Sequence, residues 1–267
     1  IIRLINIDLK SFIEKYKYIF VYILFFCTSF LGINEMSKIS IQYNEKLNIL
    51  DSYFHIMFNQ YYVLYFYTPM FIALITTIIT IPNKFISIRI QSKQTWWISK
   101  AISISICTFI YLLIGITITT ISSILYYPLD TTWSEAAITL SSSITYIPKE
   151  LINSNYHPLL SLLIGFALLY LGWFLLGIIM LLIYTLTKNK IIELFVIGLL
   201  WTNLLIGMRN FFMFEWESFF LFLNTNILII HSIQISSYGP LISLCVLTIL
   251  IILIIYFGFK KVNSIDF

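Results

Sequence analysis

The sequence predicts an all-α integral membrane protein with six transmembrane helices in one domain, and two observations carry this prediction. The 267 residues are 60% apolar and 10% charged, with a mean hydropathy of +0.93, which is more apolar than a soluble domain requires. Residues 52–83 and 101–129 contain no Lys, Arg, Asp or Glu. Each run exceeds the roughly 20 residues with which a helix crosses a hydrocarbon core of about 30 Å.

Residues 1–17 predict an amphipathic interface helix. Apolar side chains recur there at helical spacing, at Ile2, Ile5, Leu9, Phe12, Ile13 and Tyr16. Polar side chains fall on the opposite side, at Arg3, Asn6, Lys10, Glu14 and Lys17. A helix with this pattern is expected to lie in the headgroup layer of a bilayer.

Six apolar runs are predicted to span the membrane, at about residues 18–34, 60–81, 101–126, 159–187, 191–208 and 241–259. The mixed polar residues 35–58 and the polar residues 128–157 are predicted to lie outside the hydrocarbon. The three histidines, His55, His157 and His231, fall in or beside external segments and are predicted to be solvated.

Residues 209–238 combine many aromatic side chains with interrupting charges, so they predict short re-entrant helices at the external interface instead of a further span. The aromatic and acidic residues there predict an external vestibule, formed by Phe211, Phe212, Glu215, Trp216 and Glu217. Such a vestibule suits the release of amphipathic peptides, although the same aromatic residues would also serve to anchor short helices at an interface.

The distribution of basic residues predicts the orientation. The N-terminal segment, residues 82–100, residues 188–190 and the C-terminal tail hold twelve of the sixteen Lys and Arg residues. The opposite loops hold the other four, Lys38, Lys46, Lys149 and Arg209. The positive-inside rule therefore predicts that both termini are cytoplasmic. The frequent Ile, Lys and Asn resemble a translated AT-rich genome, which favours a bacterial cell membrane.

Motifs for catalysis are missing from the sequence. There is no H-E-x-x-H, no Walker A motif and no span with two carboxylates, so we expect neither an enzyme nor a metal or cofactor site in this chain. The basic residues lie at membrane boundaries, which argues against nucleic-acid binding. Glu193 follows Lys190 by three residues, and this spacing predicts an ion pair at a membrane boundary.

Five polar residues within the second and fifth predicted spans are candidates for lining a pore: Thr76, Thr77, Thr80, Thr202 and Asn203. Two alternatives stay open. Hydroxyl groups also donate to carbonyls of their own helix, and Ser, Thr and Asn often join neighbouring helices in bilayers.

Residues 83–97, between the second and third predicted spans, are predicted to form a short cytoplasmic coupling helix. The segment and the residues that follow it carry basic and aromatic side chains that suit docking on a soluble partner: Lys84, Arg89, Lys93, Trp96, Trp97 and Lys100. Trp96 and Trp97 also have a simpler interpretation as an aromatic anchor at the lipid interface.

The whole-chain plan resembles that of a permease subunit of a type-2 ABC exporter. Residues 1–17, 83–97 and 209–238 occupy the places of that family's interface, coupling and re-entrant helices. The pattern Arg89…Lys93…Trp96-Trp97…Lys100 resembles its basic-aromatic-basic signature. The ending Lys260-Lys261…Asp266-Phe267 resembles its basic-then-acidic terminus. Chain length and composition are closest in style to lantibiotic-immunity and antimicrobial-peptide export permeases of low-GC Gram-positive bacteria.

The resemblance implies alternating access driven by separate cytoplasmic ATPase subunits, which would hold the ATP and Mg²⁺, and a second permease subunit, identical or paralogous. Three alternatives stay open. They are a permease that exports polysaccharide or lipid, the substrate-binding membrane component of an energy-coupling-factor importer, and a membrane scaffold without transport activity. The importer component typically carries an Ala-x-x-x-Ala packing motif, and this sequence has none.

Overall fold

The computed structural model describes residues 2–13, 17–79, 92–140, 142–145, 147–153, 156–208, 227–229, 232–233 and 236–264. These residues form helices and connecting turns, with no strand among them. Five helices are long and apolar enough to cross a membrane: Ile19–Tyr43, Ile49–Ile79, Lys93–Ile124, Pro158–Thr187 and Gly239–Lys261. The prediction of an all-α, multi-pass membrane protein is therefore confirmed at this level.

The helices are labelled in chain order. They are α1 (Ile2–Ile13), α2 (Lys17–Tyr43), α3 (Ile49–Ser52), α4 (Gln60–Tyr62), α5 (Thr68–Ile79), α6 (Lys93–Ile124), α7 (Glu135–Thr139), α8 (Ser142–Thr145), α9 (Lys149–Asn153), α10 (Pro158–Thr187), α11 (Lys190–Met208) and α12 (Gly239–Lys261). A 3₁₀ turn, Val262–Ser264, follows α12.

Local sequence signals fix where the long helices begin and end. Ser92 caps α6, because its Oγ accepts the N–H of Thr95 at 3.1 Å. Pro158 occupies the first turn of α10, where its missing N–H costs nothing. Lys188 ends α10 in the left-handed region at φ 51°, and its N–H returns to the carbonyl of Tyr184 at 2.8 Å.

The spans alternate in direction, which defines two ends of the bundle. Gly165, early in α10, lies against the ring of Phe58, whereas Gly177 lies against Ile104 near the start of α6. We call the end that holds the start of α6 the basic end, and the end that holds residues 125–157 the loop end. Small residues at these positions allow the helices to approach closely, as is common between membrane helices.

The second span is an interrupted helix. It runs through α3, a π-helical turn at Tyr53–Met57, α4, a second π turn at Val63–Tyr67, and α5. Side chains from elsewhere satisfy carbonyls along it: Trp201 Nε1 donates to Leu64 O at 2.7 Å, and the Tyr111 hydroxyl donates to Tyr67 O at 2.9 Å. These bonds explain how an irregular backbone is tolerated at membrane depth.

The predicted polar segment 35–58 is helical for most of its length, so the expectation that all of it forms a connecting loop is wrong, while its place outside the hydrocarbon stays a prediction. The helix α2 continues to Tyr43, and the second span begins at Ile49. Asn48 and Asp51 form a reciprocal capping box that starts α3. The prediction that His55 is solvated is also wrong: its side chain is buried, and Nε2 lies 2.9 Å from Glu35 Oε2.

The described residues between 127 and 157 lie at the loop end and contact the start of the second span. The Ser134 hydroxyl donates to Asp51 Oδ1 at 2.9 Å, and Asn48 Nδ2 donates to Thr132 O at 2.9 Å. The Lys149 ammonium donates to the carbonyls of Ala137 and Ile138, both at 2.6 Å, at the end of α7. Partial burial lowers the pKa of Lys149 from its ordinary value.

The core is centred on α10, which packs against α5, α6, α11 and α12. The indole of Trp173 is fully buried there, stacked on Phe71 at 5.9 Å and edge-on to Tyr111 at 5.2 Å. The outer faces of α2 and α12 leave large apolar side chains exposed, at Ile19, Phe20, Ile23, Phe26, Phe30, Leu241, Ile249, Ile252, Leu253 and Phe257. Exposure on this scale suits contact with lipid.

The helices α6 and α12 approach each other closely at Gly258. A Cβ atom built on this glycine would lie 1.9 Å from Trp97 Cζ2. Trp97 is fully buried, and its Nε1 donates to the carbonyl of Ile255 at 3.0 Å. The indole therefore has no free direction in which to move away, and the contact requires glycine.

We expect Gly258→Ala to destabilise the protein by about 1–3 kcal/mol, because the methyl group overpacks the contact with Trp97. Gly198→Ala is the matched control, since no atom lies within 4 Å of the added Cβ in α11, and it should be neutral or slightly stabilising. The measurement is thermal unfolding of the purified protein in detergent. Equal melting temperatures for the two variants would contradict the contact.

Candidate functional site

The helix α1 lies against α5 and α6 at the basic end. Its inward face is centred on Asp8, which is buried, while Ile2 is 76% exposed. The inward face shares Ile5 and Leu9 with the apolar face predicted from sequence and is rotated toward Asp8. Leu4, Ile5 and Leu9 are half-buried beside Asp8, and Arg3, Asn6 and Lys10 are exposed.

Asp8 forms a buried ion pair with Lys100 near the start of α6. Lys100 Nζ donates to Asp8 Oδ1 at 2.7 Å and to the carbonyl of Ile78 at 2.8 Å. The Ser103 hydroxyl donates to Asp8 Oδ2 at 3.0 Å. Both charged residues are 3% exposed. We call these four residues the Asp8–Lys100 cluster.

The cluster satisfies groups that would be costly to bury alone. Ile78 is in the last turn of α5, where helix carbonyls lack partners within their own helix and attract cations. Lys100 supplies that cation, and Asp8 balances its charge. Removing one member of a buried pair leaves an uncompensated charge and typically costs about 3–5 kcal/mol. The cluster thus joins α1, the end of α5 and the start of α6 through charge.

Two of the predicted docking residues are tryptophans that lie inside the bundle. Trp96 is 4% exposed and Trp97 is fully buried, so the alternative interpretation of this pair as a lipid-interface anchor is wrong. The bond from Trp97 to Ile255 and the contact with Gly258 hold the start of α6 against the end of α12. Burial inside the bundle gives both side chains a structural role.

The remaining docking residues divide into three groups. Lys100 is buried in the Asp8–Lys100 cluster, so its ammonium is not presented to a partner. Lys93 is half-buried in the first turn of α6. Lys84, Arg89 and the rest of residues 83–91 lie outside the described residues.

The predicted pore-lining hydroxyls bond to their own helices. Thr76 donates to Ala73 O at 2.9 Å, Thr77 to Leu74 O at 2.7 Å, and Thr202 to Leu199 O at 2.9 Å. Thr76 is buried and Thr202 is exposed. These bonds match the alternative of own-helix hydrogen bonding, and the pore itself stays a prediction. Thr80 and the side chain of Asn203 lie outside the described residues.

The predicted vestibule lies wholly outside the described residues, at Phe211, Phe212, Glu215, Trp216 and Glu217. The described part of residues 209–238 comprises residues 227–229, 232–233 and 236–238. Glu193 is fully buried in α11, and because the side chain of Lys190 is not described, their boundary ion pair stays a prediction.

Sequence reasoning missed Asp8 and Ser103. The signal for Asp8 was an acidic residue amid the apolar residues of the predicted interface helix, Ile5, Ile7 and Leu9. Such a charge needs a partner if the helix packs against other spans. Lys100, at the boundary of the next charge-free run, is the cation that the structure brings to it. Ser103 carried no signal of its own.

Comparison with protein-family models, curated proteins and solved structures finds no match to this chain. A functional proposal therefore depends on the residues and on the geometry.

We expect Lys100→Met to lower the melting temperature by roughly 10 °C, because it strands the buried Asp8 carboxylate. Replacing both members, as Asp8→Leu with Lys100→Met, should recover most of the loss, since an apolar pair leaves no stranded charge. Lys38→Met is the control at an exposed helical lysine. Thermal unfolding in detergent tests this, and a double variant no more stable than Lys100→Met would contradict a coupled pair.

Proposed function

We propose that this chain is the membrane-spanning subunit of an ATP-driven ABC exporter. It would act with a second permease subunit and with separate cytoplasmic ATPase subunits that hold ATP and Mg²⁺, and would move an amphipathic peptide or another amphiphile out of the membrane by alternating access. The observation that carries the proposal is the Asp8–Lys100 cluster. It connects the N-terminal helix to the two helices that flank residues 80–92. These residues include most of the proposed coupling segment 83–97, whose last five residues, 93–97, form the start of α6 instead of a separate helix.

A sixth crossing by α11 is supported by contacts at both ends of the bundle. The preceding helix, α10, runs from the loop end toward the basic end. The Tyr156 hydroxyl donates to Ser237 O at 2.9 Å, so the start of α12 lies beside the loop end. The chain between them therefore returns across the bundle. The 19 residues of α11 extend about 28 Å, nearly the thickness of a hydrocarbon core.

The arrangement of basic residues supports cytoplasmic termini. Lys93 begins α6, Lys188 ends α10, and Lys260 and Lys261 end α12, all at the basic end. Lys38, Lys46 and Lys149 are the described basic residues toward the loop end. A bacterial cell membrane with the basic end inside is the orientation that the positive-inside rule favours.

The packing of α6 gives a physical route for energy coupling. A partner that displaces residues 83–97 would move the start of α6. That movement would reach α1 through the Asp8–Lys100 cluster and α12 through the contact of Trp97 with Gly258. The two π turns of the second span are positions at which the helix already departs from regular hydrogen bonding, and in this proposal they serve as hinges. Alternating access requires such a deformable element.

We expect the orientation to be testable with single cysteines in a variant whose three native cysteines are replaced. Glu135→Cys should react with a membrane-impermeant maleimide in intact cells, because Glu135 is exposed on α7 at the loop end. Asn189→Cys, exposed between α10 and α11, should react after the membrane is permeabilised. Labelling of Asn189→Cys in intact cells would reverse the proposed orientation.

The proposed docking surface is tested with Arg89→Glu combined with Lys93→Glu. We expect ATP hydrolysis by the co-purified ATPase to lose its stimulation by the permease, because like charges weaken docking, while the melting temperature stays unchanged. Lys38→Glu combined with Lys46→Glu is the charge-matched control at two exposed lysines toward the loop end and should leave stimulation intact. Retained stimulation in the double variant would move the contact elsewhere. Failure of any ATPase to co-purify would favour the scaffold alternative.

A further inference from the structure

A pocket of about 460 Å³ opens at the loop end between the second span, α6 and α10. Its lining comes from four stretches of chain that meet there, within residues 49–53, at Thr120, and within residues 129–131 and 159–166. The volume falls in the lower half of the range of roughly 300–1,000 Å³ typical of small-molecule sites. It suits a single apolar chain better than a whole peptide.

The walls of the pocket are apolar, and two of their hydroxyl groups bond to each other. The Tyr53 hydroxyl pairs with the Thr120 hydroxyl, which also donates to Ile116 O at 2.7 Å. The ring of Tyr53 packs edge-on to Phe166 at 5.6 Å between ring centroids. With these hydroxyls engaged inside the protein, the wall that they form offers a ligand mainly hydrocarbon contacts.

Asp130 is the charged residue among those that line the pocket, and it is exposed at the rim. The Thr132 N–H and hydroxyl donate to Asp130 Oδ1 at 3.1 and 3.0 Å and hold the pKa of its carboxyl below the ordinary value. The rim therefore carries a negative charge at neutral pH. The arrangement is an apolar pocket with one carboxylate at its entrance.

We propose that this pocket binds the hydrocarbon chain of an amphiphile whose cationic head group lies against Asp130. An apolar chain gains by leaving water or the disordered interface for a preformed apolar wall. A cationic head matches the carboxylate, whereas an anionic head meets repulsion. The pocket lies at the loop end of three spans. In the proposed orientation, the hydrocarbon chain of a bound amphiphile would therefore lie at the depth of the outer leaflet.

The proposed function did not use this pocket, whose described lining includes none of the residues of the predicted vestibule. The binding proposal needs neither an ATPase nor transport, and only the idea that the bound amphiphile is a transported substrate rests on the proposed function. Direct binding to the isolated chain therefore tests the pocket separately. A chain that binds the amphiphile without recruiting an ATPase would retain the pocket and lose the exporter assignment.

The test uses the purified full chain in phosphatidylcholine nanodiscs and three photoreactive probes with the same alkyl-diazirine tail. Their head groups are trimethylammonium, sulfate and an uncharged glucoside. Mass spectrometry of the adducts identifies the labelled residues, and competition with the non-photoreactive trimethylammonium compound gives the apparent affinity. We expect saturable labelling of residues 49–53, 120–131 and 159–166 by the cationic probe at low salt.

Two substitutions in the protein separately test the contacts with the alkyl tail of the probe and the contacts with its head group. Leu163 is 66% exposed at the rim, so Leu163→Trp narrows the pocket without overpacking the core. It should weaken binding about tenfold, as loss of roughly two buried methylene groups would. Asp130→Asn should weaken binding of the cationic probe about threefold, the size expected of an exposed ion pair, and should leave the uncharged probe unaffected.

Leu253→Trp is the matched control for added bulk, because Leu253 is 56% exposed on α12 and does not line the pocket. It should bind the cationic probe like the parent chain. Labelling that does not saturate, or that spreads equally over the lipid-facing side of α12, would overturn the site. Equal affinity for the cationic and sulfate probes would overturn the assignment of a cationic head group.

Discussion

In a hydrocarbon layer each backbone N–H and C=O needs a partner within the protein, and this requirement shapes the second span most visibly. Its second π turn, Val63–Tyr67, redirects carbonyls that a regular helix would use itself. Trp201 and Tyr111 reach those carbonyls from α11 and α6. The irregular span is therefore possible because neighbouring helices present aromatic donors at matching depths, and the packing of α11 and α6 is tied to the shape of the second span.

The same requirement acts at helix ends, where carbonyls and N–H groups lack partners within their own helix. Lys100 reaches the carbonyl of Ile78 at the end of α5. Asn48 accepts the N–H of Leu50 at the start of α3, and Lys149 reaches the last carbonyls of α7. Polar side chains at these ends thus replace water. Because these side chains supply the hydrogen-bond partners, a helix can begin or end where it packs on another part of the protein.

Hydropathy predicted the apolar centre of each span because it sums over local residues. The predicted spans 159–187 and 241–259 agree closely with α10 and α12, whereas α6 begins eight residues before the predicted span 101–126. Sequence could not predict the burial of Asp51 or Trp97, because their partners Ser134 and Gly258 lie 83 and about 160 residues away. For the candidate site, the position of Lys100 at a membrane boundary made it a candidate for docking a partner. Its side chain points into the bundle instead, because it pairs with Asp8, which lies 92 residues earlier in the sequence.

A buried ion pair is a poor choice where stability alone matters, because apolar residues of similar volume often stabilise a core as well or better. It has a property that apolar packing lacks: the two partners must stay together, since separation strands charge in a medium of low dielectric constant. Lys100 also holds the end of α5, so a displacement of α6 carries α1 and α5 with it. The Asp8–Lys100 cluster therefore ties α1, the end of α5 and the start of α6 together at the basic end, whereas the second π turn depends on donors from α6 and α11.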